Sequence, residues 1–293
     1  MVSTLTTGGT QLRKEDINPT VTGFALQSYV FKELLMVNKT SGWTQSYYEE
    51  DASDLTGGTG AAVKGIPRLA DFPTGEVTFR EKMTTMEKYG MEGVISFEDR
   101  MTNNVDVMAR TLLRIGRAVA KAVDDEIWAV ISESQSATNI NSESIAVGKE
   151  WNSDSIANRD PIQNILDAKR KIAVNNYDPE NGRASLLLSP TDFANVLGNP
   201  NIRNAGQFYT SDVTRNGNVG RLLGLKVKVS NSVTADYAMV IIDKEAATWQ
   251  SLMALRVETI DDPMISWKIR AGEFGVTQLT NPKAITLLDN TQK

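Results

Sequence analysis

Residues 104–132 read NVDVMARTLLRIGRAVAKAVDDEIWAVIS and form the strongest periodic stretch of the chain. Val105, Met108, Leu112, Ile115, Val119, Ala122, Val123, Ile127, Val130 and Ile131 recur every three or four positions. Asp106, Arg110, Arg114, Arg117, Lys121 and Asp124 take the opposite side. The pattern predicts one amphipathic helix with a buried and a solvated stripe, on the order of 40 Å long at about 1.5 Å per residue. Gly116 costs about 1 kcal/mol inside such a helix, which predicts a close approach or a slight bend there.

Upstream, the helix is reached through VISFEDRM (94–101) and two hinge-like glycines, Gly90 and Gly93. Before them come two strand-like runs, WTQSYYEE (43–50) and EVTFREKMTTMEKYGMEG (76–93), separated by a region holding Gly57, Gly58, Gly60, Gly65, Pro67, Pro73 and Gly75. In the second run Val77, Phe79 and Glu81 alternate with Thr78, Arg80 and Lys82, so both faces carry polar residues. Two such strands cannot build a core of their own. The expectation is a hairpin that projects from the body and lies on a partner; the plainer alternative is a long surface loop. Residues 1–17 are polar and read as a mobile tail. After Pro19, residues Val21, Phe24, Ala25, Tyr29, Phe31, Leu34, Leu35 and Met36 predict a short helix.

Downstream, the polar residues 133–159 read as a boundary. Asp160 as N-cap and Pro161 at the first helical position then open a helix burying Ile162, Ile165, Leu166, Ala168 and Ile172. ASLLL (184–188) reads as a buried strand, and Ser189-Pro190-Thr191-Asp192 caps a short helix closed by Gly198. Residues 199–222 are loop-like. LGLKVKVSNSV alternates Leu225, Val227 and Val229 with Lys226 and Lys228, and AMVIID (238–243) is a continuous buried run. The remainder reads as four strands turning at Asp261-Asp262-Pro263, Gly272 and Asn281-Pro282.

Composition narrows the chemistry. The 293 residues include no cysteine and no histidine, which removes thiolate chemistry, the commonest general base and the commonest zinc ligand. An enzyme built from this chain would rely on carboxylate, lysine, tyrosine or serine chemistry, or on magnesium held by Asp and Glu. Gly58-Thr59-Gly60 lacks the third glycine of a dinucleotide loop, and Gly-Lys-Ser/Thr does not occur. Asp124, Asp125 and Glu126 are consecutive on a helix, point apart, and read as a solvated or ion-paired face. Asp261-Asp262-Pro263 is a turn signature. Asn38-Lys39-Thr40 matches a glycosylation sequon without a secretory signal, and the five tryptophans are scattered as core or interface residues. No catalytic, cofactor or metal site is expected. The net charge of −5 implies that any contact with nucleic acid is local or weak, and no apolar run approaches a membrane span.

Taken in order, the pieces resemble the Hong Kong 97-type major capsid proteins of tailed bacteriophages and related viruses. The fragments EKYGMEGVISFEDRM, LLLSPTDFANVL, LLGLKVKVSNSV and IIDKEAATW are similar to the family's recurrent segments in type and order. The resemblance implies an α+β fold: an N-terminal arm (1–41), an extended hairpin loop (42–88) and a peripheral domain with a spine helix (89–150). An α/β axial domain (151–251) and strands returning to the peripheral domain (252–293) complete it.

It also implies a virion subunit, made and assembled in the host cytoplasm, that self-assembles as hexamers and pentamers of an icosahedral shell. The packaged double-stranded DNA would lie inside without sequence-specific binding. Partners would be further copies, a separate scaffolding protein (about 18 residues precede the first helix), a portal protein and a decoration protein; no membrane is involved. Intersubunit contacts are expected from the arm and loop, at Phe24, Tyr29, Trp43, Tyr47, Lys64, Arg68, Phe79, Arg80 and Lys82. Some members join a loop lysine to an asparagine of a neighbour; Lys64, Lys82, Lys88 and Asn281 are the groups this chain offers. An encapsulin-like compartment shell and a cytosolic carboxylate enzyme are the competing readings.

Overall fold

The computed structural model describes residues 21, 29–50, 66–72, 79–102, 105–200, 202 and 221–293. Along the chain run β1 (Met36–Lys39), β2 (Thr44–Glu50), β3 (Phe79–Thr85), β4 (Glu87–Ser96), α1 (Phe97–Met101), α2 (Val105–Ile131) and β5 (Asn141–Ser144). Then follow α3 (Pro161–Val174), β6 (Ala184–Leu188), α4 (Pro190–Gly198), β7 (Arg221–Leu222), β8 (Leu225–Val229), β9 (Tyr237–Ile242), β10 (Ala247–Asp262), β11 (Ser266–Leu279) and β12 (Ile285–Asp289).

The decisive stretch is the single helix α2, unbroken through Gly116. Its stripe of Leu112, Ile115, Val119, Val123, Ile127 and Ile131 is buried against a four-stranded sheet ordered β1-β10-β11-β4. The close approach falls on the sheet side: a Cβ on Gly93 of β4 would sit 2.5 Å from Ile115 Cδ1 and 2.9 Å from Thr111 Cγ2. Gly90 and Gly93 are therefore residues of β4, not hinges, and of the two only Gly93 faces the helix. Gly272 likewise lies inside β11, paired with Arg256 on one side and Gly90 on the other, so the C-terminal part holds three strands where four were expected.

The helix expected up to Met36 gives way earlier. Met36–Lys39 pairs in parallel with Thr248, Trp249, Gln250 and Ser251 of β10, and this ladder satisfies backbone groups whose side chains, Met36 and Val37, remain exposed. Phe31, Leu34 and Leu35 are buried from a turn instead. β10 itself shifts register between Ser251 and Met253 and between Met253 and Arg256, bulges that bend a long strand.

A six-stranded sheet ordered β5-β12-β9-β6-β8-β7 forms the second layer system, with β6 parallel to β8 and antiparallel to β9. The capping signals act as read: Asp160 accepts Gln163 N–H at 3.1 Å, and Ser189 accepts Asp192 N–H at 3.1 Å. Ile165, Ala168 and Ile172 of α3 are buried, whereas Leu166 is exposed. Two readings are corrected here. β12 pairs with β9 and β5, so residues 285–289 belong to this sheet and not with the strands placed beside the long helix. The polar stretch 133–159 is not an open boundary, because it supplies the edge strand β5 and the fully buried Trp151, whose Nε1–H donates to Asn164 Oδ1 at 3.1 Å. Most of the loop-like 199–222 lies outside the described residues.

Candidate intersubunit surface

Strands β2 and β3 pair antiparallel from Thr44↔Thr85 to Glu50↔Phe79. Residues directly opposite share a face, so Thr44, Ser46, Tyr48, Phe79, Glu81, Met83 and Thr85 form one side and Gln45, Tyr47, Glu49, Arg80, Lys82 and Thr84 the other. The second side lies on the chain's own body. Gln278 Nε2 donates to Thr84 Oγ1 at 3.0 Å, and Arg80 Nη1 donates to Asn139 Oδ1 at 2.9 Å. At the strand's end Glu50 N–H donates to Thr280 O at 3.0 Å and Tyr177 O–H to the Glu50 carboxylate at 3.2 Å. Glu49, 2% exposed, is paired with the Lys82 ammonium. Burial, then the neighbouring Glu49, pushes the Tyr47 phenol up and keeps it protonated.

Apart from Glu50, which lies opposite Phe79 at its end and accepts from Tyr177, the first side has no partner on the body within the described residues, and it carries large apolar groups: Tyr48 is 61%, Phe79 55% and Met83 74% exposed. The Tyr48 and Phe79 rings meet edge-on at 6.1 Å. Leu69 and Phe72, in the described part of the connecting segment, are also exposed. Such groups clustered on one ribbon face mark an interaction surface.

The nine expected contact residues divide accordingly. Phe79 sits on the open face, and Trp43 beside the ladder is half-exposed with its ring 5.9 Å from that of Phe274. Arg68 is exposed in a turn. Tyr47, Arg80 and Lys82 lie on the inner side: Tyr47 and Arg80 bond to the chain's own body, and Lys82 pairs with Glu49 across the hairpin. Phe24 and Lys64 lie outside the described residues. Tyr48 and Met83 were not singled out; strand parity carries their signal, but only once the register with β3 is known. Of the groups considered for a covalent link, Lys82 is held by Glu49, Lys88 lies over the Phe274 ring at 5.6 Å, and Asn281 Nδ2 donates to Glu245 O at 3.0 Å.

Tyr29 also requires correction: it is buried in its own subunit, donating its hydroxyl to Glu273 Oε2 at 2.6 Å. Glu273, fully buried on β11, also holds the Lys32 ammonium, which lies 4.6 Å from the Tyr29 ring centroid and 5.3 Å from that of Trp249. A second buried carboxylate closes the same turn. Asp124 of α2 accepts Val30 N–H at 2.8 Å and Phe31 N–H at 3.2 Å. Expected on a solvated face, Asp124 is 2% exposed, because the turn at residues 29–35 covers that end of the helix. Burial raises its carboxyl from 3.8 to about 6 against the lowering effect of the backbone N–H groups. The arm is thus fixed to the body at this turn by two carboxylates from two different elements.

Among the described residues no three acidic side chains converge as a metal set would, and no helix is long and apolar enough to cross a membrane.

Residues 80–288, more than half of the chain, match the family model described as phage capsid protein. No match is found among curated protein sequences. Among solved structures the chain is similar to the capsid of cyanophage P-SCSP1u, at 15% identity and TM-score 0.66 over 89% of this chain and 88% of that one. It is similar to a solved structure of Mycobacterium phage Ogopogo at 15% identity and TM-score 0.63, over 89% and 92% of the two chains. The virus-like particle from Pyrococcus furiosus gives 11% identity and TM-score 0.63 over 94% and 98%. Identities this low carry the fold alone, whereas the family match covers nearly all of the hairpin's second strand, the long helix and the strands of both sheets apart from β1. The chain belongs to the phage capsid protein family and has the Hong Kong 97-type fold of a shell-forming major capsid protein.

Proposed function

We propose that copies of this chain assemble as hexamers and pentamers of an icosahedral shell enclosing a double-stranded DNA genome, with the outward face of the β2–β3 ribbon as the clamp between neighbours. The carrying observation is the two-sidedness of that ribbon. Its inner side is pinned to its own subunit by Arg80 and Thr84, while Tyr48, Phe79 and Met83 are left open. Burying such side chains against a second copy is worth about 1.5–3 kcal/mol each before ordering costs. Repetition around a closed ring multiplies that gain without demanding a large interface at any one site. The subunit acts through geometry between copies and not by substrate turnover. Assembly in the host cytoplasm with a separate scaffolding protein, on a portal, with a decoration protein outside, completes the proposal for the virion.

Expression of the chain with its scaffolding protein, followed by sedimentation and negative-stain electron microscopy, tests this. Closed particles of megadalton mass are the expected result; a stable monomer or dimer under those conditions would overturn it. Particles that enclose protein cargo and no DNA would instead support the compartment-shell reading.

A further inference from the structure

We infer that the exposed arginine row of α2 is the surface that touches the phosphate backbone of enclosed duplex DNA, and that this face of the subunit therefore lines the lumen; the luminal placement rests on the shell reading above. Arg110, Arg114, Arg117 and Lys121 are all exposed. At about 100° per residue their positions fall within roughly 60° of one another around the helix, and they span about 16 Å along it. That length corresponds to about five phosphates of one DNA strand. Only Lys121 has an acidic partner among the described residues, Asp125 at 3.4 Å; Arg110, Arg114 and Arg117 form no ion pair there.

The other face of the same helix-on-sheet slab is charged but internally compensated. Arg270 pairs with Glu92 at 2.7 Å, Arg256 with Glu258 at 2.9 Å and Lys268 with Asp262 at 3.4 Å. In a chain of net charge −5, a row of three arginines without an acidic partner among the described residues is a directional feature, and it attracts a polyanion to that side. The partner class follows from what accompanies the row. Beside it among the described residues lie Ala118, Ala122, the acidic Asp125 and the partly buried Leu113, with no fully exposed large apolar anchor of the kind that grips a docked peptide. Spaced guanidinium groups without such anchors fit phosphates, read for charge and not for sequence.

The test uses the unassembled subunit and a fluorescently labelled, mixed-sequence DNA duplex, with anisotropy titrations between about 50 and 200 mM salt. For the triple variant Arg110→Gln, Arg114→Gln, Arg117→Gln, the slope of log affinity against log salt is expected to fall by about 3, with affinity at the lowest salt down at least about tenfold. The control variant Arg256→Gln, Lys268→Gln, Arg270→Gln on the opposite face should bind within about twofold of wild type. If the triple variant fails to fold, each single substitution should lower the slope by about 1. Absent binding by wild type, an unchanged slope in the helix variant, equal loss in the control, or tighter binding of poly-L-glutamate than of DNA would each overturn the inference.

Luminal placement is read separately. Since the chain lacks cysteine, particles of an Arg114→Cys variant can be treated with a polymer-bearing maleimide too large to pass between subunits. Labelling only after dissociation supports the placement, and labelling of intact particles refutes it. If wild-type chain forms no particles the shell reading fails, while the DNA titration still decides what the row binds.

Discussion

Replacing Asp124 by asparagine should change the pH dependence of subunit stability more than stability itself. The carboxylate is nearly inaccessible to solvent and accepts the Val30 and Phe31 N–H groups. Burial lifts its carboxyl from 3.8 to about 6, outweighing the backbone donors. A group whose folded value is raised contributes stability that is fully present below its unfolded value and is lost as pH rises through the folded one. Here the loss falls between about pH 4 and 6 and amounts to about 3 kcal/mol. Asparagine keeps a carbonyl acceptor for the turn and does not titrate. Urea unfolding of the unassembled subunit should therefore show wild type losing about 3 kcal/mol relative to Asp124→Asn between about pH 4 and 7, with other titrations cancelling in the difference. Asp124→Ala, which orphans two buried donors and does not titrate either, should be about 2–5 kcal/mol less stable than Asp124→Asn at every pH. A wild-type minus asparagine difference that is flat across this range would refute the assigned role of burial at Asp124.

On the open face of the ribbon, Tyr48→Ser with Phe79→Ser should leave subunit stability within about 0.5 kcal/mol yet abolish or sharply weaken particle formation in sedimentation; intact assembly would remove this face as the clamp. Lys82→Met leaves Glu49 buried without its cation and should cost about 2 kcal/mol by denaturant unfolding, discounted from the fully buried case because Lys82 is partly solvated. Gly93→Val drives a side chain into Ile115 and should destabilise by about 1–3 kcal/mol, visible as a lower Tm.

Where local chemistry sufficed, the chain could be read directly. The long helix, the Asp160-Pro161 and Ser189-Pro190 starts, the alternation of β8 and the continuous run of β9 each depend on residues within a few positions of one another. What stayed hidden depends on partners distant in sequence. Whether Tyr47 or Tyr48 faces outward follows from a register with β3 across more than thirty intervening residues, and a slip of one residue exchanges the two faces. Asp124 looked solvated because its partners are backbone N–H groups at residues 30 and 31, which carry no side-chain signature. Met36 continued a helical period, but the free edge of β10 offered its backbone a ladder. β12 joined the other sheet through pairing with β9 and β5, which the order of strands along the chain does not reveal.

The two arms, read from sequence as separate clamps, both attach at the C-terminal end of the long helix. Near its C-terminal end the N-terminal arm is held by Asp124. Immediately beyond that end Glu133, Ser134 and Gln135 all adopt left-handed backbone at φ of 48°, 51° and 67°, a conformation costing about 1–2 kcal/mol per non-glycine residue. The turn is sustained by the Glu133 carboxylate, which accepts the Asn139 N–H at 2.7 Å and the Ile140 N–H at 3.4 Å. Asn139 in turn accepts the hydrogen bond from Arg80 of the hairpin at 2.9 Å. A displacement of the hairpin by a neighbouring subunit therefore reaches the helix through a turn that already holds its backbone in an unfavourable region, and the N-terminal arm is tied to the same helix one turn or two earlier. Stiffness of the helix and strain at its terminus together make it the element through which the positions of both arms are coupled.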